Sequence, residues 1–182
     1  MDSLLPKQIA ALSWIFTLLS GREIPCVFCG GLAAIGYGSR RPLHDIDLFV
    51  PGDRFIEVVE AGEKYVSKPA QHYREHSEGW DLEYVQFVYR DIKVEVGNSN
   101  NASIYDSKEE KWVSLDITFD RSHYQQLLGI EIPLMQRDDL IAYKTRLGRH
   151  VDSEDIADML RSNSPASKGS SGHFFSVHKW HS

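Results

Sequence analysis

The chain contains 182 residues, of which 42% are hydrophobic and 25% are charged, as in an ordinary globular protein of one domain. Its 26 Asp and Glu residues outnumber its 20 Lys and Arg residues, which gives a formal charge of −6. This acidic balance provides no general attraction for nucleic-acid backbones or anionic membranes, so any basic binding site must be local.

An amphipathic helix is predicted at the start of the chain. Leu5, Ile9, Leu12, Phe16 and Leu19 recur at steps of three or four residues, which places them on one helical face. The apolar stretch in this segment is too short to span a bilayer and follows no basic leader, so it is not an export signal. We therefore expect a cytoplasmic protein that does not enter a membrane.

A buried strand is predicted next, over the continuous apolar run IPCVFCG at residues 24–30. Cys26 and Cys29 would point to opposite faces of this strand, so they cannot share a metal ion. We expect both to be core thiols of a protein in a reducing compartment.

The pattern then alternates between helices and strands. Residues 31–38 predict a short helix, residues 45–50 a strand and residues 53–66 a second helix that begins at an Asp53 cap. A chain that alternates in this way indicates an α/β arrangement around a sheet.

Two alternating segments, 80–89 and 92–98, predict a hairpin with a tight turn at Arg90 and Asp91. Edge strands are expected within residues 111–119 and 129–135, and two helices over residues 137–149 and 152–162.

The domain is expected to span residues 1–162. From residue 163 to residue 182 the composition changes to Ser, Gly and Lys and then loses all periodicity. We interpret residues 163–182 as a flexible tail or a cloning remnant.

Paired carboxylates give the strand at residues 45–50 its chemical interest. Asp45 and Asp47 lie two apart, so both side chains project from one face of the strand. Adjacent carboxylates repel each other unless a cation neutralises them or water screens them. Magnesium suits such a pair, because it takes one or two carboxylates and fills its other positions with water and phosphate oxygens.

Glycines and arginines precede these carboxylates. At Gly30 and Gly31 the missing side chains would let phosphate oxygens approach backbone N–H groups at the start of a helix. Arg40 and Arg41 could add charge-assisted hydrogen bonds to the same phosphates. The order of these residues predicts a clamp for a metal ion and a nucleotide.

Residues 30–50, GGLAAIGYGSRRPLHDIDLFV, resemble the nucleotidyltransferase superfamily of the DNA polymerase β type. Residues 138–160 resemble a helical segment of minimal nucleotidyltransferases and AbiEii-like toxins. The resemblance implies a mixed α/β (α+β) palm, with a central mixed sheet and C-terminal helices over the nucleotide.

The activity implied by this resemblance is transfer of a nucleoside monophosphate from ATP, or another nucleoside triphosphate, to a hydroxyl acceptor. Asp45 and Asp47 would bind two Mg²⁺ ions together with a third carboxylate, which would also act as base. Glu95 is the best position for it, with Asp81 and Glu83 as outside candidates; family members commonly carry Asp there.

The implied triphosphate contacts are Gly30, Gly31, Ser39, Arg40 and Lys144. For Lys144 an ordinary salt bridge is an equal alternative. For Arg146, Arg149 and Asp155 we favour a structural role.

Two further questions stay open in the sequence. The acceptor could be a small molecule, a tRNA or a protein, and the chain could instead be a catalytically degenerate module that binds a nucleotide or a partner. A homodimer is also expected, with contacts from Tyr105, Trp112, Val113 and Phe119; these side chains could equally pack under the N-terminal helix.

Overall fold

The computed structural model describes residues 6–127 and 129–162, which form five α-helices and one nine-stranded sheet. The helices are α1 (Pro6–Ser20), α2 (Gly30–Gly36), α3 (Phe55–Ala61), α4 (Arg137–Leu147) and α5 (His150–Ser162). The strands are β1 (Val27–Phe28), β2 (Asp45–Val50), β3 (Val66–Glu75), β4 (Trp80–Tyr89), β5 (Ile92–Asn98), β6 (Ser103–Asp106), β7 (Lys111–Ser114), β8 (His123–Leu127) and β9 (Ile130–Leu134).

The sheet mixes parallel and antiparallel pairs in the order β7-β6-β4-β5-β2-β1-β9-β8, and β3 pairs with β4. β2 runs parallel to β5 and β1 runs parallel to β9, whereas the other pairs are antiparallel. This mixed sheet, followed by two C-terminal helices, confirms the predicted α+β architecture. The parallel pair β2 and β5 brings together the predicted aspartates and Glu95.

The predicted N-terminal helix is confirmed as α1, which packs on β4 and β5. Leu12, Ile15 and Leu19 are completely buried on its inner face. Trp14 stacks on Tyr89 of β4, with ring centroids 4.9 Å apart and planes 6° from parallel. Burial of such side chains is the main force that holds α1 to the sheet. Among the residues described, no helix is long and apolar enough to cross a membrane.

The C-terminal helices are confirmed close to their predicted bounds. α4 ends at Gly148, whose φ of 64° places it in the left-handed conformation that glycine adopts without strain. α4 and α5 pack against each other and against α2. Ser162 ends the described residues, and the predicted tail, residues 163–182, lies outside them.

The helix predicted over residues 53–66 is wrong at its end. α3 stops at Ala61, a short 3₁₀ turn follows, and Val66 already begins β3. Gly62 marks the break, because a Cβ there would lie 2.5 Å from the ring of Phe87 on β4. The backbone therefore passes too close to the sheet for a helix with side chains on all faces to continue.

The strand predicted over residues 24–30 is shorter than expected. Only Val27 and Phe28 pair as β1, because Gly30 already starts α2. The N–H of Cys29, between β1 and α2, still donates to the carbonyl of Asp47 on β2. Cys26 and Cys29 are both buried free thiols, which confirms their expected place in the core.

The aromatic side chains predicted to form a dimer contact are half-buried within the chain. Tyr105 and Trp112 face each other across β6 and β7, with ring centroids 5.4 Å apart, and His76 packs on both. Val113 and Phe119 pack against the main core. The homodimer stays a prediction.

Candidate functional site

A cavity of about 480 Å³ opens above β2 and β5, which carry the predicted carboxylates. Asp45, Asp47 and Glu95 lie in its wall, together with Gly30 and Gly31 at the start of α2. The wall continues over β4 to β3 on one side and reaches α4 and α5 on the other. The structure thus brings the three predicted carboxylates and the two predicted glycines to one cavity.

One row of side chains crosses four strands of this cavity. Asp47 on β2 pairs with Glu95 on β5, Glu95 pairs with Gln86 on β4, and Gln86 pairs with Lys68 on β3. Side chains at paired positions in neighbouring strands share one face of the sheet. The row therefore leads from the predicted metal ligands to a polar region that the sequence did not predict.

Burial and neighbouring carboxylates shift the pKa values of both Asp47 and Glu95. Burial raises the pKa of Asp47 well above its ordinary value, and the charges of Asp45 and Glu95 raise it further. Burial also raises the pKa of Glu95, with a second contribution from the charge of Asp45. Crowded carboxylates of this kind are stabilised by a bound cation, and carboxylate oxygens suit Mg²⁺.

Residues 6–127 and 129–162 contain no group of three or more His, Cys, Asp or Glu side chains already arranged to hold a metal ion. The strand pairing nevertheless fixes the backbones of Asp47 and Glu95 side by side. The carboxylates of this pair fit Mg²⁺ in charge and in donor type.

Gly30 allows α2 to begin directly against Asp47. Its φ is 58°, and a Cβ at this position would lie 3.0 Å from Cγ of Asp47 and closer still to Oδ2. The Gly30 N–H is already used, since it donates to the hydroxyl of Tyr143 at 2.9 Å. The predicted glycine thus gives a close approach to the carboxylates and ties the turn to α4.

Gly31 makes room for an arginine. A Cβ on Gly31 would lie 3.0 Å from Nη2 of Arg41, so the guanidinium packs over the start of α2. Arg41 lines the cavity and is held from behind by Asp155, through Nε at 3.2 Å and Nη2 at 3.1 Å. Its hydrogen bond to Asp155 raises the already high pKa of Arg41, so the guanidinium stays charged.

Arg149 is a second cavity arginine, and the sequence interpretation gave it only a structural role. It donates to Asp152 through Nε at 2.8 Å and through Nη2 at 3.2 Å, and to Glu78 through Nη1 at 3.3 Å. The salt bridges expected from its spacing to Asp152 are present, but the guanidinium also lines the cavity. The spacing between Arg149 and Asp152 in the sequence could not show in which direction the guanidinium points.

Three predicted triphosphate ligands lie outside the cavity wall. The Ser39 hydroxyl donates to Asp155 at 2.7 Å and is buried. The Arg40 N–H donates to Asp158 at 2.9 Å, while the Arg40 side chain is 77% exposed. Lys144 is buried behind the cavity. The structure therefore does not bring Ser39, Arg40 and Lys144 to the cavity that contains the carboxylates.

A polar cluster closes the cavity at β3. Lys68 donates to Glu75 at 2.6 Å and also to the hydroxyl of Tyr84, which itself donates to Glu75 at 3.0 Å. Burial alone would lower the pKa of Lys68, but these hydrogen bonds raise it. The sequence interpretation missed this cluster because β3 has no apolar alternation.

The two outside candidates for the third carboxylate have other partners. Asp81 binds His72 and Arg74 on the neighbouring strand, and Glu83 accepts a hydrogen bond from Asn98 at 2.7 Å. Neither lies in the cavity wall. Glu95 is thus the candidate that the strand pairing places beside Asp47.

Known structures share this architecture. A proposed nucleotidyltransferase from Thermotoga maritima matches with a TM-score of 0.66 and 19% identity, over 87% of this chain and 95% of that one. The lincosamide antibiotic adenylyltransferase LnuA, with lincomycin bound, matches with a TM-score of 0.57 and 14% identity, over 87% of this chain and 98% of that one. ANT(2″)-Ia, in complex with adenylyl-2″-tobramycin, matches with a TM-score of 0.56 and 15% identity, over 85% of this chain and 88% of that one.

No family model and no curated protein matches the sequence. Identities of this size carry information about the fold, while chemistry must be argued from the site. The described part of the chain therefore has the nucleotidyltransferase fold that the sequence resemblance predicted.

Proposed function

We propose that the protein transfers a nucleoside monophosphate from a nucleoside triphosphate, with ATP as the first candidate, to a hydroxyl group and releases pyrophosphate. The observation that carries this proposal is the strand pairing of Asp47 with Glu95 directly beneath the Gly30 turn. It gathers acidic groups for metal binding and an anion-binding wall in one cavity.

Asp45, Asp47 and Glu95 are the residues that would hold two Mg²⁺ ions. When bound, such ions neutralise the charge that develops on the attacking and leaving oxygens of the transferred phosphoryl group. The donor set fits, because burial and the nearby carboxylates raise the pKa values of Asp47 and Glu95, and a bound cation would relieve this repulsion.

Arg41 and Arg149 are the groups that we assign to the triphosphate. Both guanidiniums line the cavity and each is oriented by a carboxylate behind it. Guanidinium groups bind phosphate oxygens through strong charge-assisted hydrogen bonds. Two fixed positive groups would stabilise the charge that accumulates on departing pyrophosphate, which is the main task in phosphoryl chemistry.

Glu95 would accept the proton of the acceptor hydroxyl. Its pKa is raised by burial and by the charge of Asp45, which makes its carboxylate a stronger base than a free one. The row continues from Glu95 to Gln86 and Lys68, so we place the acceptor over β4 and β3. The donor then lies over α2, on the opposite side of Asp47.

A small molecule is the acceptor class that we favour over a tRNA or a protein. The cavity, at about 480 Å³, has the size of a small-molecule site. Two structures with this fold were solved with lincomycin and with adenylyl-2″-tobramycin, which supports a small acceptor by analogy of fold.

Calorimetric titration with ATP, with and without Mg²⁺, tests the donor site. Pyrophosphate release in the presence of a mixed pool of hydroxyl compounds then tests transfer. Asp47→Asn should abolish release, while Asp116→Asn, an exposed aspartate outside the cavity, should leave it intact.

Mg²⁺-dependent ATP binding without release from any acceptor pool would instead favour a catalytically degenerate nucleotide-binding module. Absence of ATP binding in both conditions would overturn both functions.

A further inference from the structure

A buried ammonium group lies behind Arg41 and Arg149, the two arginines that line the cavity. Lys144 on α4 is 1% exposed, and its Nζ lies 3.1 Å from Oδ1 of Asp152 and 3.0 Å from Oδ2 of Asp155. An ammonium group is buried at high cost unless carboxylates compensate it, and here two do so. This group has no part in the chemistry described above.

The same two carboxylates orient the two cavity arginines. Asp155 binds Nε and Nη2 of Arg41, and Asp152 binds Nε and Nη2 of Arg149. Lys144 therefore links the two arginine–carboxylate pairs into one continuous network of ion pairs. Burial alone would raise the pKa of Asp155, but its hydrogen bonds, above all those from Arg41 and Ser39, lower it, so the carboxylate keeps its charge.

This network of ion pairs fixes the orientation of the two guanidinium groups as well as their charge. A carboxylate that accepts from both Nε and Nη2 sets the plane of a guanidinium, and both carboxylates here are nearly inaccessible to water. Without the ammonium between them, Asp152 and Asp155 would repel each other across a buried space. Each would turn away, and its arginine would follow.

We propose that Lys144 is a positioning residue, which fixes the separation of Arg41 and Arg149 and thereby selects a triphosphate over a monophosphate. This inference rests on the proposed nucleotide function of the cavity. A triphosphate has phosphate groups for both arginines at once, whereas a monophosphate has one, so only the longer ligand depends on their separation.

A purely structural role for Lys144 makes a different prediction. Loss of a buried ion pair between α4 and α5 would lower thermal stability and weaken all ligands alike. Positioning instead predicts that the loss is confined to the triphosphate and passes through the two arginines. The comparison of ATP with AMP therefore separates the two roles.

The test uses the Lys144→Met chain, whose apolar side chain has similar length. Affinities for ATP and AMP are measured by calorimetry with Mg²⁺, beside a thermal melt. We expect the ratio of ATP to AMP affinity to fall at least tenfold while AMP affinity stays within about twofold. Val58→Ala, a buried change on α3 away from the arginines, should lower the melting temperature and leave the ratio unchanged.

A chain with Arg41→Gln and Arg149→Gln provides the second arm. Adding Lys144→Met to it should lower ATP affinity no further, because the positioned groups are already gone. If Lys144→Met does not fold, Lys144→Gln, which keeps polar N–H donors without the charge, replaces it in both arms.

An unchanged affinity ratio in the Lys144 variant, or an additive loss in the triple variant, would overturn positioning while the nucleotide function stands. Failure of the wild-type chain to bind ATP would overturn both.

Discussion

Asp47 and Glu95 are paired residues on adjacent parallel strands, so the backbone holds their carboxylates on the same face of the sheet. Neither residue can move away unless the pairing of β2 with β5 is broken. Burial and the neighbouring charges raise the pKa of both groups. In the metal-free protein the ionised carboxylates therefore reduce the stability of the fold.

The first prediction concerns Asp47→Asn. A carboxyl group whose pKa is higher in the folded than in the unfolded chain lowers stability at high pH. This loss shrinks as pH falls below the folded pKa and vanishes below the unfolded pKa. At pH 8 without Mg²⁺, Asp47→Asn should thus raise the melting temperature, by about 2–4 °C per kcal/mol relieved.

The wild-type chain should also gain stability on mild acidification, whereas Asp47→Asn should gain less. Calorimetric melts at successive pH values from pH 8 downward check this, and Asp116→Asn is the matched control, because its carboxylate is exposed and outside the cavity. A lower melting temperature for Asp47→Asn at pH 8 would contradict the repulsion.

The second prediction compares two glycines with positive φ. Gly30 has φ 58° and Gly129 has φ 79°, so alanine is strained at both, at a cost of about 1 kcal/mol. A Cβ at Gly30 would also collide with Asp47, while nothing lies within 4 Å at Gly129. Gly30→Ala should therefore lower the free energy of unfolding more than Gly129→Ala and should abolish transfer.

Denaturant unfolding and the pyrophosphate assay together measure both effects. Equal stability losses for the two variants, with transfer retained in Gly30→Ala, would show that α2 does not need to approach Asp47 so closely.

The third prediction concerns adjacent arginines that are identical in chemistry and different in place. Arg41 lines the cavity, whereas Arg40 is largely exposed and pairs with Asp158. Arg41→Gln should weaken ATP binding by about 1.5–3 kcal/mol, the value of a charge-assisted hydrogen bond, which is roughly a ten- to hundredfold loss. Arg40→Gln should change it less than about twofold.

Calorimetry with Mg²⁺ measures both affinities. If Arg40→Gln weakened ATP binding more than Arg41→Gln, Arg40 would be the triphosphate contact, as the sequence predicted, and Arg41 would not.

The fourth prediction concerns the two thiols. Burial raises the pKa of Cys26 to about 12, and burial with the nearby charge of Asp47 raises that of Cys29 well above its ordinary value. Since the thiolate is the reactive form, neither should react in the native protein at pH 8. Iodoacetamide labelling followed by mass spectrometry should show both modified only after unfolding in guanidinium chloride.

Local patterns explain which parts of the fold were predictable. The core face of α1, the alternation of β4 and β5 and the Gly148 stop of α4 are all visible in a short window of sequence. β3 and β8 lack that signal, because exposed residues, most of them polar, occur on both faces of each strand. Such strands are held by pairing with a neighbour, which no local pattern records.

The candidate site divides in the same way. Asp45, Asp47, Gly30 and Gly31 lie close together in sequence, and all four line the same cavity. The direction of the Arg149 side chain and the burial of Lys144 depend on how α4 and α5 pack against each other. The spacing of residues in the sequence does not determine that packing.

The hydrogen bond from Gly30 to Tyr143 joins residues 113 positions apart, and Ser39 reaches Asp155 across 116. A ribosome adds about 5–20 residues each second, so the acidic strand leaves the tunnel on the order of ten seconds before the helices that complete its surroundings. During that interval Arg41 and the strand carboxylates have left the ribosome, while Asp155, the carboxylate that orients Arg41, has not. A chain stalled before α5 therefore holds the strand carboxylates and both cavity arginines without Asp152 and Asp155, the carboxylates that orient those arginines.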